Sequence, residues 1–336
     1  MPADSRETFL DSLEILRDLD AETRAALALE LEPLAVARSD VLMRQGEAAD
    51  AMYIVVSGRF AVFLDGRATP VSEIGPGQPM GEIAFLAGGE RTATVTALRD
   101  SLVLRLDKAR FDQVTASNPA LWRLLTVALA RRVAGLNVAR ALPPDPRPRT
   151  LALIRAGTSH MPDDFVFALA KALGTASQKR KARGRRVQVV DRARAEALLP
   201  AGANYDSAEA TTAFNDLERQ SDFVVYIADA DLTTWSNKAI RQADIVLAVG
   251  CFDSDPALNV LERRAAELLP HTSMRLVLLH ATRKPITGTR RWLARRNVAM
   301  HHHVARDDSE DVARLARFLK GTAVGLIACG GGALCT

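Results

Sequence analysis

Within the stretch GEIAFLAGGERTATVTA, residues 81–97, most side chains are small or apolar, yet Glu82 and Arg91 stand nine positions apart, behind Gly81 and on either side of Gly88-Gly89. A guanidinium grips a phosphate through two parallel N–H···O bonds, which a lysine cannot do. A carboxylate accepts a hydroxyl proton. In a short loop of a β-roll followed by helices, such a pair suits a cyclic nucleotide, with a singly charged phosphodiester beside a ribose 2′-hydroxyl. Gly81 would let the backbone approach closely. A one-turn helix starting near residues 81–84 would aim N–H groups at the phosphate. Charges buried in such a place would be compensated through the ligand.

The elements that must hold these residues are legible around them. Residues 6–36 read as helical, with Leu10, Leu13, Ile15, Leu16 and Leu19 at helix-like spacing. From about 36 to 107 the pattern turns to short alternating strands (MYIVVSG, RFAVFLDG, ATVTAL and SLVLRLD), punctuated by glycines at 46, 58, 66, 75, 77 and 81. That is the pattern of a small antiparallel roll. Residues 108–141 return to helix. PPDPRP, residues 143–148, cannot be crossed by a helix and marks a domain boundary. Beyond it TLALIRAG, RVQVVD, SDFVVYIAD, DIVLAVG and MRLVLLH read as strands, alternating with helices such as DFVFALAKALG and TTWSNKAIRQA. The alternation predicts βαβ units and a mostly parallel sheet covered on both faces. The expected fold class is α+β followed by α/β: a roll with flanking helices, then a Rossmann-type parallel domain. The units are 1–142, a linker at 143–149, 150–320, and a last segment at 321–336.

GEIAFLAGGERTATVTA, together with RQGEAADAMYIVVSGRFAVF (44–63), resembles the phosphate-binding cassette of cyclic-nucleotide-binding domains, and the likeness spans residues of about 13–140. The resemblance implies that Glu82 takes the ribose and Arg91 the exocyclic phosphate. It implies backbone contacts from Gly81, Ile83 and Ala84, and a lid from the leucine-rich helix at 121–141. Thr92 follows the arginine, where a hydroxyl could reach both phosphate and a guanine amino group, so cyclic AMP and cyclic GMP both stay open. The competing reading is a roll that no longer binds nucleotide, with Glu82 and Arg91 as a weak, partly exposed ion pair.

DFVVYIADADLTTWSNKAIRQADIVLAVG, residues 222–250, resembles the segment ahead of the catalytic domain in neuropathy target esterase and its bacterial relatives, with Trp235 and IRQAD (240–244) as the distinctive part. These are patatin-like lysophospholipases. The same segment is similar to MinD-type P-loop ATPases. An ATPase needs a glycine-rich loop with Lys-Ser/Thr after the first strand. Here that position reads TSHMPDDF, so a P-loop-like fold without the Walker A loop is expected, and no ATP hydrolysis. TAVGLIACGGGALCT (322–336) resembles the first strand and oxyanion loop of patatin-like phospholipases, which implies Gly330, Gly331 and Gly332 as oxyanion donors. The family pattern has a fourth glycine where Cys329 stands and Arg-Gly where Leu334-Cys335 stand. No G-x-S-x-G nucleophile elbow is present, so no catalytic residue of the hydrolase is expected in this chain.

The resemblances together imply the regulatory part of a cyclic-nucleotide-responsive patatin-like esterase acting on phospholipid or lysophospholipid. Ligand capture would reorder the helix at 121–141 and, through the proline segment, the α/β domain. The second reading is a stand-alone cyclic-nucleotide sensor or scaffold. An open frame beyond Thr336 leading to G-x-S-x-G would favour the esterase.

Bulk properties fit. Among 336 residues, 44 are Lys or Arg and 40 Asp or Glu, a balance that does not call for nucleic acid. Bacterial transcription factors with such a roll continue into a helix-turn-helix, whereas strands appear here within a dozen residues of the linker. Cys251, Cys329 and Cys335 have no framework spacing and suit a reducing cytoplasm. With no run of about 18 apolar residues, any membrane contact is expected to be peripheral. HHH, residues 301–303, is expected on a surface loop and not as a metal site, since consecutive strand side chains cannot face one ion. KRKARGRR (179–186) is read as a solvated loop, with anionic lipid headgroups as the other reading. Ser159-His160 is read as a loop pair, and Trp235 and Trp292 as packing residues.

Overall fold

The computed structural model describes residues 20–117 and 150–323, apart from Ala68, 176–185, Ala201 and 284–285, together with Arg6, residues 9–11, Leu13 and Trp122. The lid segment beyond Trp122, the proline linker, most of the basic run at 179–186 and the glycines Gly330, Gly331 and Gly332 lie outside the described residues.

The first unit opens with α1 (Ala21–Glu30), capped by Asp20, whose carboxylate accepts the Thr23 N–H. The chain then enters a strand instead of continuing the helix to residue 36. β1 (Glu32–Val36) pairs antiparallel with β8 (Ser101–Asp107). Pro33 explains the difference: its ring pushes Glu32 out of the helical region and it has no N–H to continue the ladder of α1. β2 (Val41–Met43), β3 (Ala51–Ser57), β4 (Phe60–Phe63), β5 (Ser72–Ile74), β6 (Pro79–Met80) and β7 (Thr94–Ala97) complete two antiparallel sheets, ordered β1-β8-β3-β6 and β2-β7-β4-β5. Val36, Tyr53, Val55, Phe60, Met80, Val95 and Val103 fill the space between them. The short helix α2 (Glu82–Ala87) leaves β6, and α3 (Lys108–Ser117) follows β8.

The second unit is a six-stranded, wholly parallel sheet. Its strands are β9 (Thr150–Arg155), β10 (Val187–Val190), β11 (Phe223–Ile227), β12 (Ile245–Cys251), β13 (Met274–His280) and β14 (Met300–Ala305), in the order β10-β11-β9-β12-β13-β14. The helices are α4 (Asp163–Gly174), α5 (Arg192–Ala197), α6 (Ala208–Arg219), α7 (Thr234–Gln242), α8 (Val260–Leu268), α9 (Arg290–Leu293) and α10 (Ser309–Leu319). Leu151, Leu153, Val225, Leu247 and Val277 face one layer, where Phe165, Leu169 and Leu315 meet them. Ile154, Val246, Leu276 and Leu278 face the other, against Ile240, Leu261 and Trp292. Burial on both faces is what makes these strands read as continuous apolar runs.

The three histidines do not form a loop. They lie on edge strand β14, in parallel register with Leu276, Val277 and Leu278 of β13. Polar side chains are tolerated there because an edge strand has one unpaired side. Consecutive side chains turn to opposite faces. His302 packs on Phe318 of α10 with ring centroids 4.9 Å apart, while His303 meets His280 at 2.8 Å between Nδ1 and Nε2. Among the described residues no group of three His, Cys, Asp or Glu side chains could hold a metal ion, and no helix is long and apolar enough to cross a membrane. Trp235 and Trp292 are fully buried.

Candidate functional site

Glu82 and Arg91 are both buried, with 7% and 4% of their surface exposed. The local backbone explains how an apolar run sets Arg91 against the start of the helix that Glu82 opens. Gly81 caps α2 with φ 71°, and Gly88 ends it with φ 71°, so a left-handed residue turns the chain at each end of six helical residues. Phe85 N–H closes the first intrahelical bond on Gly81 O at 3.1 Å, so the N–H groups of residues 82–84 come before the ladder begins.

Arg91 is anchored first through its backbone. Its N–H donates to Glu47 O at 2.8 Å, and its carbonyl accepts from Gly46 N–H at 2.9 Å. Residues 44–49 therefore act as a clamp for the arginine, with Gln45 N–H on Thr94 Oγ1 at 3.0 Å. The side chain then runs inward. Nη2 donates to Ala51 O at 2.6 Å and meets the Asp50 carboxylate at 3.4 Å, and Nη1 donates to Gly81 O at 3.2 Å. The guanidinium carbon lies 5.9 Å from the centre of the Tyr53 ring. A Cβ on Gly81 would come within 2.4 Å of Arg91 Nη1, so glycine is needed here for space as well as for φ. Ile83 is half exposed and Thr92 exposed on the bend after Arg91, whereas Ala84 is buried in the roll. Asp50 and the carbonyl of Ala51 escaped the sequence reading. Backbone acceptors leave no trace in residue type, and Asp50 resembles any surface aspartate.

The second unit holds a second candidate place. β9 connects toward β10 on one side of the sheet and β12 toward β13 on the other, so the crevice at their carboxyl ends is the topological switch point where α/β domains receive ligands. Here the protein fills it. A Cβ on Gly157 would stand 2.8 Å from Trp292 Cη2, and one on Gly250 also 2.8 Å from that atom. Trp292 Nε1 donates to Phe252 O at 3.1 Å. The N–H of Gly157, in the loop where a phosphate cradle would lie, donates at 3.1 Å to Glu262 Oε2. That carboxylate also pairs with Arg296 at 2.6 Å, both side chains being nearly inaccessible. Asn259 completes the arrangement by capping α8 and donating Nδ2–H to Arg155 O at 2.9 Å and Gly157 O at 3.1 Å. Asp163 and Asp164 occupy the first turn of α4, where they would repel a phosphate. Ser159 is held within its loop. Its Oγ donates to Ala156 O at 3.3 Å and accepts from Cys251 N–H at 3.0 Å, a loop-bracing role.

A third cluster joins the two units, and the sequence reading did not foresee it. Asp100, in the turn between β7 and β8, accepts from Lys238 Nζ of α7 at 2.7 Å, with side chains 4% and 1% exposed. Arg241 Nη2 approaches the same carboxylate at 3.2 Å. Burial pulls the Asp100 carboxyl upward, but Lys238 and Arg241 outweigh it and hold the group below the usual carboxylate range. Arg99 reaches Glu218 of α6, Asn215 Oδ1 at 3.5 Å, Thr150 Oγ1 at 3.3 Å and Asp244 at 3.6 Å. Arg38 donates to the carbonyls of Ala243 at 2.9 Å and Leu268 at 3.1 Å, and its own N–H donates to Asp100 Oδ1 at 2.9 Å. Burial pushes the Arg38 guanidinium down to about 10, against the pull of Asp244.

Residues 33–118 match the cyclic nucleotide-binding domain, and residues 165–322 match the Neuropathy Target Esterase family P-loop like domain. "Neuropathy target esterase sws" of Drosophila sechellia is 28% identical over 333 residues, covering 86% of this chain and 22% of that protein. "Lysophospholipase NTE1" of Phaeosphaeria nodorum is 29% identical over 308 residues, covering 82% of this chain and 19% of that protein. The chain thus spans about a fifth of the length of these curated relatives. Among solved structures, the regulatory domain of Toxoplasma gondii PKA with cAMP is 26% identical, with a TM-score of 0.34 over 40% of this chain and 50% of that one.

Proposed function

We propose that this chain, which joins a cyclic nucleotide-binding domain to a Neuropathy Target Esterase family P-loop like domain, captures a cyclic nucleotide in its roll and through it regulates a patatin-like serine esterase acting on phospholipid or lysophospholipid. One observation carries the reading. The buried Arg91 guanidinium lies 3.2 Å from the carbonyl of Gly81, the residue directly ahead of Glu82. The cation thus reaches the start of the glycine-capped helix whose first residue is Glu82. Arginine has five N–H donors, and the acceptors among the described residues engage only Nη1 and Nη2 of Arg91. The Nε–H and a remaining Nη–H suit a phosphodiester held side-on. Glu82 then takes the ribose hydroxyl, residues 81, 83 and 84 supply backbone contacts, and the exposed Thr92 meets the phosphate or a guanine. Catalysis belongs to a hydrolase domain with its own nucleophile. The setting we infer is cytoplasmic, with membrane contact peripheral.

Isothermal titration of the chain with cyclic AMP and with cyclic GMP tests this, with Arg91→Ala as the control and thermal melting to show that the variant is folded. Saturable binding that Arg91→Ala weakens at least tenfold is the expected result. Absence of heat with both nucleotides, from a folded wild-type chain, refutes the reading.

A further inference from the structure

We infer that the face of the α/β domain built from α6, α7 and the residues up to Asp244 is a socket for the roll, and that occupancy of the Arg91 site is transmitted through β7 into this socket by way of Asp100, Lys238 and Arg241. The inference rests on the reading of the roll as a nucleotide receptor. It assigns the α/β domain a role of its own, since its switch-point crevice is filled by Trp292 and by the Glu262–Arg296 pair.

Connectivity is the first support. Seven residues, 92–98, separate Arg91 from Arg99, and the four of β7 lie among them. β7 is an inner strand of its sheet, hydrogen-bonded to both β2 and β4, so it moves as a unit or not at all. Arg91 lies three residues before this strand, and Arg99 and Asp100 two and three residues after it. The route differs from one through the lid and the proline segment, which would join the same units covalently.

The chemistry of the contact is the second support. Two turns of the roll enter the socket, 98–100 and 37–40. In the latter Ser39 adopts φ 71°, a left-handed conformation for a residue with a side chain. That turn is pinned to β7 by Ser39 N–H on Ala97 O at 2.8 Å and Ala97 N–H on Asp40 O at 2.9 Å. Arg38 in this turn holds the carbonyls of Ala243 and Leu268, Arg99 in the other meets Asp244 and Glu218, and Asp100 meets both Lys238 and Arg241. The stretch NKAIRQAD (237–244) supplies Lys238 and Arg241 to this surface.

Incomplete satisfaction is the third. Arg99 Nε, Arg241 Nε, Asn215 Nδ2 and Gln242 Oε1 are buried at the contact without a hydrogen-bond partner. A dock built of paired but imperfectly satisfied charges is held by geometry, and a small shift of β7 discriminates sharply between docked and displaced arrangements. Arg91 keeps Nη donors on Ala51 O and Gly81 O and offers a phosphate its Nε–H and a remaining Nη–H. Recruiting it to a phosphate draws on the same β7 that holds the dock, so ligand and dock oppose each other.

Hydrogen exchange on the whole chain, with and without saturating cyclic AMP or cyclic GMP, tests the route. The expected result is faster exchange at residues 234–244 and 98–101 when nucleotide is bound. The companion measurement is nucleotide affinity of the double variant Asp100→Asn/Lys238→Met, which removes the buried ion pair but keeps an acceptor for Arg38 N–H. By reciprocity, it should bind about fivefold or more tightly than wild type. Nucleotide binding with unchanged exchange at the socket, and an affinity shift below about threefold, overturns this inference alone. Failure of the wild-type chain to bind either nucleotide overturns both this and the proposed function. If the double variant does not fold, the exchange measurement on the wild-type chain decides.

Discussion

Gly157 gives its backbone N–H to the carboxylate of Glu262, 105 positions along the chain, at 3.1 Å, in the loop where a P-loop protein would receive a phosphate. The carboxylate is an internal anion, neutralised by Arg296 as a bound phosphate would be by a lysine. At the switch point of its parallel sheet the domain thus supplies its own anion to the loop after β9. Burying a charge needs both a counter-charge and hydrogen bonds. Glu262 has them from Arg296, Gly157 N–H and Asn259 N–H, the last at 3.2 Å.

Glu262→Ala is accordingly expected to be among the most damaging substitutions in the second unit. It leaves Arg296 buried without its partner and opens the capping box of α8. Losing one member of a buried pair costs about 3–5 kcal/mol. Urea denaturation should show a loss of that order, with a smaller loss for Glu262→Gln, which retains one acceptor oxygen. Labelled ATP should bind to neither variant nor to wild type, since the loop after β9 lacks the glycine-rich Lys-Ser/Thr cradle and Asp163 and Asp164 start the helix that follows. A loss under about 1 kcal/mol, or gain of ATP binding, contradicts the internal-anion account.

Gly81→Ala tests the geometry of the first unit. The substitution forces a side chain into φ 71° and drives its Cβ to 2.4 Å from Arg91 Nη1. Alanine in a left-handed position costs about 1–2 kcal/mol, and displacement of the guanidinium adds to this. The expected outcome is a modest fall in melting temperature with a disproportionate, at least tenfold, loss of nucleotide affinity in titration. Equal affinity with reduced stability would separate Arg91 from ligand capture.

Much of this architecture can be read from the chain itself. Alternation and glycine spacing mark β3, β4, β7 and β8, and continuous apolar runs mark β9, β11, β12 and β13, because periodicity reports which faces are buried. Glu82 and Arg91 stand out as charges in an apolar stretch. β1 was hidden behind a helical pattern until Pro33, and β14 behind three histidines that a surface loop would carry equally well. The Asp100–Lys238 pair could not be seen at all. Its members lie 138 residues apart, and Lys238 on α7 has the pattern of a solvated helix residue. Nothing local states that another domain covers it.

The histidines of β14 set a pH dependence. Burial, and then Arg275 and Arg314, push His302 down to about 4, and burial with His280 lowers His303 likewise to about 4. Both are therefore favoured as neutral rings in the folded chain, while in the unfolded chain they titrate near their ordinary value of 6.5. The unfolded state binds more protons between these values, so stability is full above about pH 6.5 and falls as pH drops toward 4. Denaturation midpoints at pH 7.5, 6 and 5 should decline in that order. His302→Gln should flatten the slope without altering nucleotide binding in the distant roll. An unchanged slope would mean that His302 is not buried against Phe318 as described.

Trp292 and Gly250 provide a last test, of the filled switch point. Gly250 lies in β12 without a positive φ, so alanine there suffers no backbone strain, only the approach of Trp292 Cη2 to 2.8 Å and of Ala156 O to 3.0 Å. Overpacking of this kind costs about 1–3 kcal/mol. Trp292→Phe removes the atoms that clash but sacrifices packing and the indole bond to Phe252 O. The pair should be non-additive. With phenylalanine in place, Gly250→Ala should cost less, leaving a coupling of about 0.5–3 kcal/mol in the double-mutant cycle. Urea denaturation of wild type, both singles and the double measures it. Independent effects, adding to within about 0.5 kcal/mol, would mean that the indole does not occupy the crevice between β9 and β12, and the assignment of that crevice as filled by the protein's own side chains would fall with it.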